Sequence, residues 1–312
     1  MIIAAIDIGT NTALLLVGAI APDGTLEVLH DSVQAPRLGQ GVDASRLLAP
    51  AAIVRTLRVL AEFHVIMDGF HPARTIVTAT SAVRDARNRQ EFIDRVKEAT
   101  GFDVRVLSGE EEASWTFAGT VSGSVRTDPS LVVDIGGGST ELSLGTGSCP
   151  SFHTSVDIGA VRLTERYFKR SPPGPDEIGA VTEEIISRLT EVPPDLPAHC
   201  IAYGVAGTPT TLATYLAGLA TPDRIVIDGY ELSRTAVDGA FRDLSRLTPP
   251  EIRALGETFA GREDVITAGT LILAKVMDHF GLDRISVSVR GLRYGALLAA
   301  ATGAPPYGPS PT

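Results

Sequence analysis

Ile6-Asp7-Ile8-Gly9-Thr10-Asn11-Thr12 stands between two apolar runs, Ile2–Ile6 and Leu14–Ile20. Val133-Asp134-Ile135-Gly136-Gly137-Gly138-Ser139-Thr140 repeats the arrangement between Leu131–Val133 and Glu141–Leu144, its aspartate 127 positions after the first (7 to 134). An interval of that size is about one domain length, so the chain reads as a duplicated α/β domain. In each copy a strand would deliver an aspartate to the mouth of a cleft, followed at once by glycines and short polar side chains. Glycine lets the backbone turn tightly and bring N–H groups up to an anion. Ser, Thr and Asn add donors without bulk. An aspartate held beside phosphate would bind Mg²⁺ directly or through water. One such turn reads equally well as an ordinary β-hairpin connection. A second copy with the aspartate at the same offset favours the phosphate-binding reading.

Working outward, strands and helices alternate. Leu26–Leu29, Thr75–Ala79 and Val104–Leu107 read as further strands of the first copy, with helices over Ala51–Phe63, Gln90–Thr100 and Glu110–Gly119. In the second copy, helices are expected at Val161–Phe168, Glu177–Leu189 and Asp264–Met277, strands at Ile201–Val205 and Ile285–Val289, and a closing helix at Leu292–Thr302. The expected domains are 1–120 and 121–303, with the last helix, about 292–302, crossing back onto the first. The proline-rich 304–312 reads as a disordered tail.

Three other stretches carry chemistry. Gly207 and Thr208, in Gly204–Thr211, follow a strand and could meet the far end of a phosphate chain at a helix N-terminus; an ordinary capped helix start fits as well. Glu110-Glu111-Glu112 suits a helix N-terminus. Successive helical residues point about 100° apart, so at most one of the three faces a cleft, where it could deprotonate an attacking water. Arg84, Arg87 and Arg89 follow the Thr75–Ala79 strand. Arginine suits bidentate phosphate contacts, and Arg84 is the one expected to point inward.

Composition narrows the field. Apolar residues make up 44% and charged residues 21% of 312, ordinary for a globular protein. A net charge of −10 argues against broad nucleic-acid binding and leaves an anionic substrate dependent on local donors and a metal. The run Ile2–Ile20 contains Asp7, Asn11 and two glycines, which excludes a membrane span and points to the cytoplasm. Cys149 and Cys200 form no disulfide framework and are expected to be buried, reduced thiols. The histidines, including His30-Asp31, read as structural.

Taken together, Ile6–Thr12, Arg37–Val42, Thr78–Asn88, Leu107–Ala113, Val133–Leu142, Gly159–Glu165, Ala206–Leu212, Arg262–Gly269 and Gly291–Arg293 resemble the exopolyphosphatase/guanosine pentaphosphate phosphohydrolase (Ppx/GppA) family. That family lies within the superfamily of actin, Hsp70 and sugar kinases. The resemblance runs from Ile6 to about Ala300 and is to the short, two-domain type. It implies duplicated ribonuclease-H-like (actin-like ATPase) α/β domains with a cleft between them. Glu112 then matches the family's proposed base. Asp134 and Glu141 match carboxylates associated with Mg²⁺ (or Mn²⁺) and catalysis, and Asp7 matches the first-loop acid. Gly9, Thr10, Asn11, Thr12, Gly136, Gly137, Gly138, Ser139, Thr140, Gly207 and Thr208 match phosphate-contacting turns, and Arg84 matches an arginine near the substrate. The implied substrate is inorganic polyphosphate, short chains in particular, or guanosine pentaphosphate (pppGpp), a nucleotide of the stringent response. A homodimer is the implied assembly. Many members carry an arginine or histidine shortly after the first loop, where this chain reads Ala13-Leu14-Leu15. The rival readings are an ATP-dependent small-molecule kinase and a non-catalytic polyphosphate or nucleotide sensor.

Overall fold

A computed structural model describes residues 1–21, 24–122 and 128–302. The proline-rich tail and residues 123–127, beside the expected domain boundary, lie outside the described residues. The chain divides into two units, one of Met1–Gly123 with Arg290–Thr312 and one of Ser124–Val289.

The first unit runs β1 (Ile2–Ile8), β2 (Ala13–Ile20), β3 (Leu26–Gln34), α1 (Val42–Ser45), α2 (Pro50–Asp68), β4 (Arg74–Ala79), α3 (Ser81–Asp85), α4 (Arg89–Thr100), β5 (Val104–Val106) and α5 (Gly109–Val121). Its sheet has the order β3-β2-β1-β4-β5, antiparallel across β3-β2-β1 and parallel across β1-β4-β5. Side chains alternate across a strand, so β1 serves two cores. Ile6 and Ile8 join Leu15, Ile53, Phe63 and Phe92 on one face. Ile3 and Ala5 join Leu16, Trp115 and Leu297 on the other. Burial of both faces explains why β1 and β2 read as continuous apolar runs rather than alternating ones.

The second unit runs β6 (Ser130–Ile135), β7 (Thr140–Thr146), β8 (Cys149–Val156), α6 (Ala160–Tyr167), α7 (Pro175–Leu189), β9 (Ile201–Val205), α8 (Gly207–Leu216), α9 (Arg224–Ile227), β10 (Glu231–Ser233), α10 (Arg234–Leu244), α11 (Pro249–Ala254), α12 (Ile266–His279) and β11 (Arg284–Val287). The last helix, α13 (Leu292–Thr302), contributes Leu292 and Leu297 to a core of the first unit, beside Ile3 and Trp115. In the second sheet the order β8-β7-β6-β9-β11 repeats that of the first, with β10 added antiparallel at the edge. Both units thus have the ribonuclease-H-like α/β arrangement.

Several expectations need correction. Leu26–Leu29 extends to Gln34, because its C-terminal half keeps pairing with β2 past a bulge between Val17 and Gly18. Strand β8 was not expected, nor were the elements α9 to α11. Cys149 is exposed on β8, and Cys200 is only half-buried, where desolvation pushes its thiol pKa up. Among the described residues, no helix is long and apolar enough to cross a membrane.

Candidate active site

The two sequence repeats are β-hairpin turns, as the plain reading of them expects. Gly9 N–H donates to Thr12 O at 2.9 Å, and Gly136 N–H donates to Ser139 O at 2.9 Å. Register then decides which side chains share a face. In β6-β7, Asp134 stands directly opposite Glu141, and Glu141 stands opposite Ser155 on β8. Cross-strand neighbours on one face have Cβ atoms about 5 Å apart, so the two carboxylates are adjacent. Glu141 is 2% exposed and accepts a hydrogen bond from Ser155 Oγ at 2.7 Å. In β1-β2, Asp7 stands opposite Leu14 instead. Asp7 is buried and accepts from Thr78 Oγ1 at 3.4 Å.

Each turn is held from behind. In the second unit, Ala160 N–H donates to Gly136 O, and the N–H groups of Val161 and Arg162 both donate to Gly137 O, at 2.9–3.0 Å. Arg162 Nε donates to Gly138 O at 2.6 Å. Three successive carbonyls therefore point toward α6. In a trans peptide the next N–H points the opposite way, so those of Gly137, Gly138 and Ser139 are directed away from α6 as a row of donors. None of the three donates to an acceptor among the described residues. In the first unit, Gly39 N–H takes Thr10 O at 2.8 Å and Arg37 N–H takes Asn11 O at 3.0 Å. Thr10 Oγ1 pairs with Ser81 Oγ at 2.9 Å.

The third turn opens α8. Ala206, its N-cap, has φ 68° and ψ −161°, a region that a β-carbon disfavours. A β-carbon on Gly207 would fall 1.7 Å from Arg262 Nη1, so the Arg262 guanidinium packs directly against that glycine. Burial pushes Arg262 down to about 10. Sequence reasoning did not assign Arg262 a role; its only signal was the match over Arg262–Gly269.

The glutamate run resolves as the helical geometry requires. Ser108 caps α5: Glu111 N–H donates to its Oγ at 3.1 Å, and Ser108 N–H donates back to Glu111 Oε2 at 2.9 Å. A cap of this kind is worth about 1 kcal/mol. Desolvation opposes ionisation of Glu111, yet the Ser108 N–H and Arg105 hold its pKa below the ordinary value. Glu110 is exposed, and Glu112 alone turns inward, at 7% exposure. There Arg84 Nη1 donates to Glu112 Oε2 at 2.8 Å and to Leu107 O at 3.0 Å. Arg84 is thus the arginine turned inward, while Asp85 pairs with Arg46 at 3.5 Å. The pair is partly buried, and each side chain holds the other in place.

A second buried ion pair of the first unit joins α13 to β3. Arg293 of α13 bonds Asp31 and reaches Leu15 O at 3.4 Å. Burial pushes its guanidinium down, opposed by the charges of Tyr294 and Asp7. Asp31 therefore has a structural partner, and His30 meets Ser32 Oγ at 3.1 Å.

Metal fit follows from the donors. Mg²⁺ takes hard oxygen ligands, commonly one or two carboxylates completed by substrate phosphates. Asp134 and Glu141 meet that requirement. Among the described residues no three His, Cys, Asp or Glu side chains gather as a closed cage.

Comparison with known proteins identifies the family. Residues 17–302 match the model of the Ppx/GppA phosphatase family. Exopolyphosphatase 2 of Mycobacterium tuberculosis is 34% identical, over 96% of this chain and 98% of its own. The crystal structure of the Aquifex aeolicus Ppx/GppA family member superposes with a TM-score of 0.81 at 31% identity, covering 97% of this chain and 98% of that one. A Cytophaga hutchinsonii exopolyphosphatase structure gives a TM-score of 0.88 at 29% identity, covering 97% and 99%. A match of this length means that the chain belongs to the Ppx/GppA phosphatase family.

Proposed function

We propose that the protein is an exopolyphosphatase that hydrolyses the terminal phosphoanhydride of inorganic polyphosphate, short chains in particular, and releases orthophosphate with Mg²⁺ as cofactor. As a family member the chain is a phosphoanhydride hydrolase. The observation that carries the substrate reading is the second turn, where three N–H donors in a row adjoin the cross-strand pair Asp134 and Glu141. Backbone donors and a metal-binding carboxylate pair recognise phosphates repeated along a chain and ask nothing of a base or sugar.

The residues divide the work. Gly136–Thr140, Gly9–Thr12 and Gly207–Thr208 bind and orient phosphates, with Arg262 adding a positive charge beside Gly207. Asp134 and Glu141 hold Mg²⁺, with Asp7 as a further acid; when bound, the ion neutralises charge on the phosphates. Glu112, held in place by its pairing with Arg84, accepts the proton of the attacking water. The new P–O bond forms to that water as the bridging P–O bond breaks, and the shortened chain leaves with the bridging oxygen. Arg84 balances negative charge on the transferring group. The protein works in the cytoplasm, and pppGpp is the competing substrate.

Phosphate release from short polyphosphate, long polyphosphate and pppGpp, each with and without Mg²⁺, is the direct test. We expect Mg²⁺-dependent release that is fastest from short chains; release from pppGpp alone would overturn the assignment. Glu112→Gln keeps an acceptor for Arg84 but cannot take a proton. It should lower turnover about a thousandfold while polyphosphate binding persists, and near-normal turnover would remove Glu112 from the role of base.

A further inference from the structure

The second turn contains three consecutive glycines, and glycine peptides rotate with little steric resistance. A turn of that composition can present either N–H groups or carbonyl oxygens to a ligand, and a carbonyl facing a phosphate repels it. Something must select the orientation. Main-chain N–H groups of α6 fix the carbonyls of Gly136 and Gly137. The carbonyl of Gly138, which precedes Ser139, is met by a side chain: Arg162 Nε, at 2.6 Å. Arg162 is 5% exposed, and its Nη2 stands 3.7 Å from Asp157. The α6 N-terminus is itself consumed by the turn's carbonyls and offers no separate anion site. Gly159, the residue before α6, sits so close that a β-carbon there would lie 2.3 Å from Gly138 C and 2.4 Å from Gly137 O.

We propose that Arg162 is a positioning residue for phosphate binding, whose Nε locks the Gly138–Ser139 peptide so that the Ser139 N–H faces the ligand. Arg162 does not touch substrate. A buried, cationic donor suits the task because a charged group holds a carbonyl more strongly than a neutral one does. The proposal rests on the phosphate reading of the second turn and assigns it a control element absent from the turn itself.

The test is binding of inorganic tripolyphosphate to the full chain by calorimetry in Mg²⁺, beside steady-state phosphate release, for wild type, Arg162→Met, Arg162→Lys and Asp157→Asn. Thermal unfolding would be recorded for each. Arg162→Met should weaken tripolyphosphate binding and raise KM by at least about tenfold, with kcat per folded molecule changed less than about threefold. The pattern follows because a misaligned donor weakens ground and transition states alike. Arg162→Lys keeps charge and most of the packing, so it is the decisive variant should Arg162→Met not fold. It should fall between wild type and Arg162→Met in affinity. Asp157→Asn should match wild type. Unchanged affinity in folded Arg162→Met or Arg162→Lys would overturn the proposal. So would a loss confined to the folded fraction, which marks a purely structural arginine. Wild-type protein that binds tripolyphosphate but releases no phosphate sinks the exopolyphosphatase reading alone, and the affinities still decide for Arg162. Wild-type protein that binds none overturns both.

Discussion

The β1-β2 and β6-β7 hairpins can be laid over one another position by position at an offset of 127. The closing hydrogen bond is 2.9 Å in both, Asp7 and Asp134 occupy the same register, and the bulge between Val17 and Gly18 recurs between Leu144 and Gly145. The side chains on that common frame differ. The row through the aspartate reads Asp134, Glu141, Ser155 in the second unit and Asp7, Leu14, Val33 in the first. The supports differ too: the start of α6 with Arg162 in one, the Arg37–Gly39 loop in the other. The anion site proposed for each turn depends on peptide orientation, which the two hairpins can share whatever their side chains. The cross-strand carboxylate pair proposed to hold Mg²⁺ is present in only one of the two hairpins. The first unit holds Glu112 and Arg84 instead.

Exchanging the differing residue sharpens this contrast most. Glu141→Leu gives the second hairpin the row of the first. It should cut Mg²⁺-dependent phosphate release about a thousandfold, roughly 4 kcal/mol of transition-state stabilisation. Leu14→Glu gives the first hairpin a carboxylate pair and should leave turnover within a few-fold, since Leu14 is only half-buried and is assigned no role. Equal losses in the two variants, measured on protein that folds normally by circular dichroism, would break the asymmetry.

A smaller effect separates the supports. A β-carbon on Gly159 meets backbone atoms of Gly137 and Gly138, which cannot retreat without dislodging the turn. A β-carbon on Gly39 meets Thr10 Cγ2 at 2.3 Å, which can turn about χ1, and Ala82 Cβ at the milder distance of 3.1 Å. Gly159→Ala should therefore cost about 3 kcal/mol in urea unfolding, and Gly39→Ala about 1–2 kcal/mol. A reversed order would mean that the loop support is the stiffer one.

How much of this the sequence disclosed follows from what each feature is made of. The duplication was legible because its signal is local: an aspartate, glycines and hydroxyls between apolar runs at a fixed interval. Membership in an acid-led helix was legible for Glu112, but its inward direction followed only from the phase of α5, and its pairing with Arg84 is a contact across 28 positions. Strand β8 went unread because it is a part-exposed strand interrupted by Pro150, with no run of buried apolar residues. Helix α10 carries Val237, Ala240 and Leu244 at helical spacing, a pattern that is present in the sequence. Arg162 and Arg262 could not be picked out by any local rule. A buried arginine in Val161–Tyr167 looks like a surface one until a carbonyl or a glycine from elsewhere in the chain is seen beside it.

The smallest expected effect concerns the residues that end β4 and β9 and open the following helices. Thr80, before α3, has φ −121°, an unstrained value, whereas Ala206, before α8, has φ 68° and ψ −161°. That backbone is nearly confined to glycine and costs an L-residue about 1–3 kcal/mol. Glycine there would relieve the strain but gives the unfolded chain more freedom, an opposing term of up to about 1 kcal/mol. Ala206→Gly should therefore stabilise the protein by about 1 kcal/mol, seen as a midpoint about 2–4 °C higher in thermal unfolding. An alanine retained against that gradient makes sense if its stiffness holds the N–H groups of Gly207 and Thr208 fixed for phosphate. The stabilised variant should accordingly bind tripolyphosphate a few-fold more weakly, because a looser turn must be ordered at the moment of binding. Destabilisation by Ala206→Gly would show that the methyl group packs to advantage and that the two helix starts differ in packing, with no strain held at the third turn.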